Sequence, residues 1–195
     1  MANNSSLVID SLCDQAVEKD VAVVGLYCDF RQQQEQSATN ILGAILKQLV
    51  SRSGIPVNIQ EAFQKAEREF GGRGLLLSEM VDILKKTITS LPQLFICVDA
   101  LDECIPKHQQ ALLESLQEIV AVSPNIRVFL TGRPHIEQKI VKLFSQLARL
   151  PLSPTHDDIK SYLKMKLDRN DDPSAMDDKL RADIMRIILE EAGEM

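Results

Sequence analysis

Tryptophan is absent from the 195 residues, and aromatic residues make up only 4% of them. Hydrophobic residues still reach 45%, so the chain can bury a sizeable core, and that core has to be aliphatic. No apolar run approaches the about 20 residues that a membrane-spanning helix needs, so no membrane partner is expected. The N-terminus has no basic stretch followed by an apolar one, so no signal peptide is read and the cytoplasm is the expected compartment. An excess of positive charge is also missing. The formal net charge of -6 argues against a nucleic-acid partner, which needs a basic face, but leaves local nucleotide binding open.

Paired metal-ligand spacings are missing as well. The four cysteines, Cys13, Cys28, Cys97 and Cys104, stand far apart or inside apolar runs and form no C-x-x-C pair. Reduced, mostly buried thiols are expected, rather than a zinc site or a disulfide framework. His108, His135 and His156 are scattered without ligand spacing and read as surface or turn residues. No repeat of solenoid length and no low-complexity tract is visible.

What is present is an alternation of strand and helix patterns. After Ser5-Ser6, the residues Leu7, Val8, Leu12, Ala16 and Val17 have helical spacing. Val21 to Phe30 is a continuous apolar run rich in β-branched residues, as expected of a strand buried on both faces. Ser37 to Val50 reads as a helix with Ile41, Leu42, Ile45, Leu46 and Leu49 on one face. Gly54-Ile-Pro56 breaks the chain, Glu61 to Phe70 reads as helix, Gly71 to Gly74 as a turn, and Leu76 to Leu91 as helix again. Gln93 to Asp99 and Ile126 to Gly132 read as buried strands, with a helix over Gln109–Val122 between them. Ile136 to Phe144 reads as a short helix and Ala148 to Leu152 as a short fourth strand. From Thr155 the pattern is helical and more charged, broken at Asp171–Ser174 and resumed from about Met176 to Ala192, where Arg181, Asp183, Arg186 and Glu190 read as a solvated face. Such alternation predicts βαβ crossovers and a mainly parallel sheet in a three-layer α/β sandwich. Residues 1–154 are assigned to that domain and 155–195 to the start of a helical module.

Two strand ends carry chemistry. In Leu94-Phe-Ile-Cys-Val-Asp-Ala-Leu-Asp-Glu-Cys104 an apolar strand delivers Asp99 to its carboxyl end, the edge at which open parallel sheets bind ligands. A carboxylate there suits a magnesium ion that keeps part of its hydration shell. Asp102 and Glu103 follow within one turn, where either can orient or deprotonate a water in phosphoryl transfer. The competing reading is an acidic loop capping the next helix. In Val128-Phe-Leu-Thr-Gly-Arg-Pro134 a second strand delivers Arg133 to the same edge, where a planar guanidinium suits a terminal phosphate. The competing reading is a surface arginine in a turn.

The segments DALDEC and VFLTGRPH together resemble the NACHT domain of signal-transduction ATPases, in the fungal group of nephrocystin-like N-terminal domains. Tyr27 to Arg31 with Ser37 to Leu49 is similar to the second strand and following helix of that group, and Asp157 to Leu163 to its first post-sheet helix. The resemblance runs from about Leu7 to Met195. It implies a nucleotide-dependent oligomerisation switch set before ankyrin or similar repeats, with self-association or repeat-domain partners. By the same resemblance, magnesium with ATP or GTP is the cofactor, Asp99 the metal-site residue, Asp102 and Glu103 the hydrolysis pair, and Arg133 the sensor of the terminal phosphate.

The sequence departs from that family in one place. The family needs G-x-x-x-x-G-K-[ST] after its first strand, where backbone N–H groups cradle the phosphates. None of the eight glycines here is followed by lysine, so no such loop exists in these residues. The helix at Ser5–Val17 resembles the one that normally begins with the loop's Lys-Ser/Thr, which reads as a domain lacking its first strand. The expected function is therefore a degenerate or truncated NACHT switch module, a scaffold or oligomerisation element with little hydrolysis, its cofactor either magnesium with ATP or GTP or none. The alternatives are an active ATP or GTP hydrolase whose phosphate loop lies outside these residues, and a fragment without independent function.

Overall fold

The computed structural model describes residues 4–16, 21–51, 54–69, 74–169 and 176–192. They form two compact units, Met1–Leu147 and Ala148–Met195.

The first unit is built on a parallel sheet of three strands, β1 (Val21–Tyr27), β2 (Gln93–Asp99) and β3 (Ile126–Leu130), in the order β1-β2-β3. The register sets Val24 beside Ile96 and Ile96 beside Val128, so one face is a continuous aliphatic layer. Cβ atoms alternate across a strand, and Gly25, Cys97 and Phe129 consequently share the other face. The strands are shorter than their apolar runs. β1 ends at Tyr27, and Phe30–Gln32 turns away as a short 3-10 segment capped by Asp29, whose Oδ1 accepts from Arg31 N at 2.9 Å.

On the Val24 face lie α2 (Ala38–Val50), α4 (Leu77–Ile88) and α5 (Pro106–Val120), all packed on one another. Leu42, Ile45, Leu84, Ile88, Leu112, Leu113, Leu116 and Ile119 are fully buried, giving the aliphatic core that the lack of aromatics dictates. Each helix start has a local cause. Ser37 accepts from Asn40 N at 3.2 Å, Glu79 reaches back to Leu76 N at 2.7 Å, and Pro106 occupies the first turn of α5, where its missing N–H is no loss. The helix α3 (Val57–Glu69) starts directly after Pro56, earlier than its apolar spacing indicates. The short α6 (Glu137–Leu143) packs on α5. Against the Gly25 face lies α1 (Asn4–Ala16), whose Ile9 approaches the site of a Gly25 Cβ to 3.2 Å.

The outer edge of β1 is closed by a side chain. The Gln48 carboxamide accepts from Gly25 N and donates to Gly25 O, both at 3.0 Å, so it takes the place of a neighbouring peptide group. Among the described residues β3 pairs with β2 alone.

The expected strand at Ala148–Leu152 is not formed. These residues run without regular structure, and Leu150 and Leu152 are exposed. Pro151 has no N–H to give a ladder, which disfavours pairing. The turn at Gly71–Gly74 lies outside the described residues except for Gly74, and the break at Asp171–Ser174 lies outside them entirely.

The second unit contains α7 (His156–Asp168) and α8 (Asp178–Ala192), packed on each other. Thr155 and Asp158 form a reciprocal cap, with Asp158 N donating to Thr155 Oγ1 at 3.2 Å and Thr155 N to Asp158 Oδ2 at 2.9 Å. The Thr155 hydroxyl, donating to Asp158 Oδ2 at 2.6 Å, and then the Thr155 N–H hold the Asp158 carboxyl below its ordinary range. Arg181 pairs with Asp168, and Arg186 pairs with Asp183 and Glu190 on the solvated face of α8.

Candidate functional site

The carboxyl ends of all three strands open into one cleft of about 480 Å³. Its lining includes Cys28 from the end of β1, Asp99, Asp102 and Glu103 from β2 and the turn after it, and Thr131, Gly132 and Arg133 from β3. The four residues that the sequence singled out on two separate strands therefore share one concavity, and Asp99 and Arg133 do not lie on opposite sides of the molecule.

The turn that gathers them is held open by an unusual residue. Ala100 has φ 54° and ψ 44°, the left-handed region, and is the one non-glycine residue with positive φ among those described. This bend ends β2 and starts a 3-10 turn over Leu101–Glu103. β3 fixes the bend through Thr131. Its hydroxyl accepts from Ala100 N at 2.9 Å and donates to Asp99 Oδ1, while its carbonyl accepts from Leu101 N at 2.9 Å. From below, buried Gln109 donates to Leu101 O at 3.0 Å and accepts from Lys139 Nζ at 2.6 Å.

Each acidic group has a distinct partner. The Asp102 side chain is only 8% exposed. It accepts from Arg133 N at 3.2 Å and lies 3.3 Å from Arg133 Nε, although the arginine side chain itself is 75% exposed. Glu103 Oε2 accepts from Phe30 N at 2.9 Å, and its carbonyl accepts from Gln33 at 2.7 Å, so it anchors the turn after β1. Neither residue caps α5, whose N-cap is Ile105; the acidic-loop alternative is thus not what the structure builds. Gly132 leaves little room for a side chain: a Cβ there would fall 2.3 Å from buried Ile136 Cδ1, which would have to shift, and 3.3 Å from Asp102 Oδ1.

Beside the acidic turn, two cysteines 76 positions apart meet. Cys104 Sγ donates to Cys28 Sγ at 3.0 Å, and both residues are buried. When one proton leaves the pair, the Cys28 S–H bonded to Cys104 draws the Cys104 thiol below its ordinary value, so the charge rests on Cys104. The same bond, then burial, raises Cys28, which keeps the remaining proton. Sequence reading treated these as separate thiols. Cys28 directly follows β1, whereas Cys104 lies beyond the 3-10 turn after β2, so no strand register announces their meeting. The roles of Gln109 and Gln48 leave no trace either, since each rests on one side chain reaching a distant peptide group.

Among the described residues, no group of three or more His, Cys, Asp or Glu side chains is placed to hold a metal ion. A metal ligated entirely by protein does not fit. A magnesium ion that keeps most of its water and takes a single carboxylate does fit Asp99, with the Thr131 hydroxyl beside it.

The fold and the cleft define an α/β protein with a parallel sheet and an acidic site at its carboxyl edge. The family model described as Nephrocystin 3, N-terminal matches residues 4–133, and the chain belongs to that family. A comparison with curated proteins finds no match. Among the described residues no helix is long and apolar enough to cross a membrane.

Proposed function

We propose that the chain is a degenerate NACHT-type switch module, acting in signalling as a scaffold or oligomerisation element with little intrinsic hydrolysis. The observation that carries this reading is the convergence of Asp99, Asp102, Glu103 and Arg133 on one cleft, in 195 residues without a Gly-Lys-Ser/Thr sequence. In this reading Asp99 is the magnesium-site residue, and magnesium would supply charge neutralisation for a bound nucleotide. Asp102 and Glu103 descend from the pair that orients or deprotonates water, and Arg133 from the group that meets the terminal phosphate.

The geometry favours a weak catalyst. Both Asp102 oxygens face Arg133, one its backbone N–H and the other its guanidinium, and Glu103 Oε2 accepts from Phe30 N, so the pair is partly engaged by internal donors. The partner class is a second copy of the module or a repeat domain. Among the described residues β3 pairs with β2 alone, and an open edge of that kind suits association with another copy.

The test is release of inorganic phosphate from ATP and GTP with magnesium, run beside sedimentation velocity over a range of protein concentrations. The reading expects phosphate release at the buffer rate and concentration-dependent association. Release that disappears in Asp102→Asn would establish the active hydrolase instead. Aggregation without a cooperative unfolding transition would favour a fragment.

A further inference from the structure

We propose that Cys28 and Cys104 form a peroxide-reactive dithiol that closes to an intramolecular disulfide at the edge of the cleft. The two Sγ atoms are 3.0 Å apart, already close to the about 2.05 Å of a disulfide, so bond formation needs only a small approach. Cys28 lines the cleft, which gives a small hydroperoxide a route to the pair. Gln36 Oε1 lies 3.9 Å from Cys104 Sγ, and the Gln36 carboxamide also holds Asp29 through its N–H at 3.1 Å and its carbonyl at 3.1 Å. The surroundings of the two sulfurs are thus fixed by hydrogen bonds rather than left to rotate.

The chemistry balances with hydrogen peroxide as oxidant. One sulfur of the pair attacks a peroxide oxygen as its thiolate, the O–O bond breaks, and the departing hydroxide takes up the proton that this thiol released. The other sulfur then attacks the sulfenic sulfur so formed, the S–OH bond breaks, and the second thiol's proton leaves with the hydroxyl as water. Two thiols and one peroxide give one disulfide and two waters.

The bond would join the segment after β1 to the segment after the acidic turn, on either side of the Phe30 N to Glu103 hydrogen bond. Oxidation would therefore lock Glu103 in its anchoring position. The proposal does not depend on the nucleotide reading of the cleft. The exposed Cys13 and the buried Cys97 serve as internal controls.

The experiment treats the native chain, with Cys13→Ser to prevent bridging between molecules, with stoichiometric hydrogen peroxide. Remaining thiols are then alkylated after denaturation and the peptides are analysed by mass spectrometry. The expected result is a Cys28–Cys104 cross-linked peptide, removed by dithiothreitol, with Cys97 fully alkylated. A rise in melting temperature that dithiothreitol reverses is expected in the same sample. Full alkylation of Cys28 and Cys104, under peroxide that oxidises Cys13 in the unsubstituted chain, would overturn the proposal. So would oxidation of either cysteine to sulfinic acid without any cross-link. Both readouts use folded protein with the pair intact.

Discussion

Arg133 meets Asp102 twice, through its backbone N–H at 3.2 Å and its guanidinium Nε at 3.3 Å, and so joins the end of β3 to the turn after β2. The two partners are unequal, because the arginine side chain is 75% exposed and the aspartate 8%. An exposed guanidinium contributes little, so Arg133→Ala is expected to lower stability by less than about 1 kcal/mol. Asp102→Ala removes a buried carboxylate that also accepts from Arg133 N and is expected to cost about 1–3 kcal/mol. Urea unfolding of the two variants checks the asymmetry, and equal losses would contradict it.

Ala100 sits in the left-handed region, where a Cβ costs roughly 1–2 kcal/mol. Ala100→Gly is therefore expected to leave the melting temperature unchanged or raise it, the relief of strain offsetting the entropy of glycine. Ala100→Val is expected to lower it by several degrees, since branching at Cβ aggravates the clash. A lower melting temperature for the glycine variant would mean that the bend is not strained.

Gln48 protects the outer edge of β1 by mimicking a peptide group on Gly25. Gln48→Leu leaves both Gly25 groups without that partner and is expected to destabilise by about 1–3 kcal/mol. It should also raise the aggregation rate, because an unprotected edge recruits other strands. Gln48→Glu still accepts from Gly25 N but opposes Gly25 O, and it should fall between the two. Denaturant titration and light scattering on the three proteins read the order.

Burial, with a smaller contribution from Cys13, pushes the Cys97 thiol up to about 11. In the unfolded chain a thiol releases its proton near about 8.5. The folded state thus holds a proton that the unfolded state has lost, a contribution intact below about 8.5 and lost as pH rises through 11. The stability of the native protein is expected to fall more steeply between those values than that of Cys97→Ala. Parallel slopes in urea unfolding from pH 8 to 10.5 would contradict this.

Much of the fold was legible because it is carried by periodicity. The runs ending at Asp99 and Gly132 became parallel strands, and Leu42, Ile45, Leu112 and Leu116 fell in the core as their helical spacing indicated. The error at Ala148–Leu152 has a plain cause: three apolar residues separated by Arg149 and Pro151 match a strand pattern, yet no ladder forms around a proline. Strand ends were overextended at Phe30, which belongs to a 3-10 turn after Tyr27, and at Gly132, where Thr131 turns its side chain to Asp99 just past the last strand residue, Leu130. The cleft was legible as a set of charged residues at strand ends. Its support was not. Thr131 locking Asp99, Gln109 holding Leu101, and the meeting of Cys28 with Cys104 depend on side chains from distant segments, which no local pattern records.

In the proposed function the cleft keeps the acidic side of a nucleotide site without a phosphate grip. Titration of a fluorescent ATP analogue into the folded chain, with and without magnesium, measures this directly. The account predicts no magnesium-dependent binding in the micromolar range, and no change on substituting Asp99→Asn. Micromolar affinity that requires magnesium and is lost in Asp99→Asn would contradict it.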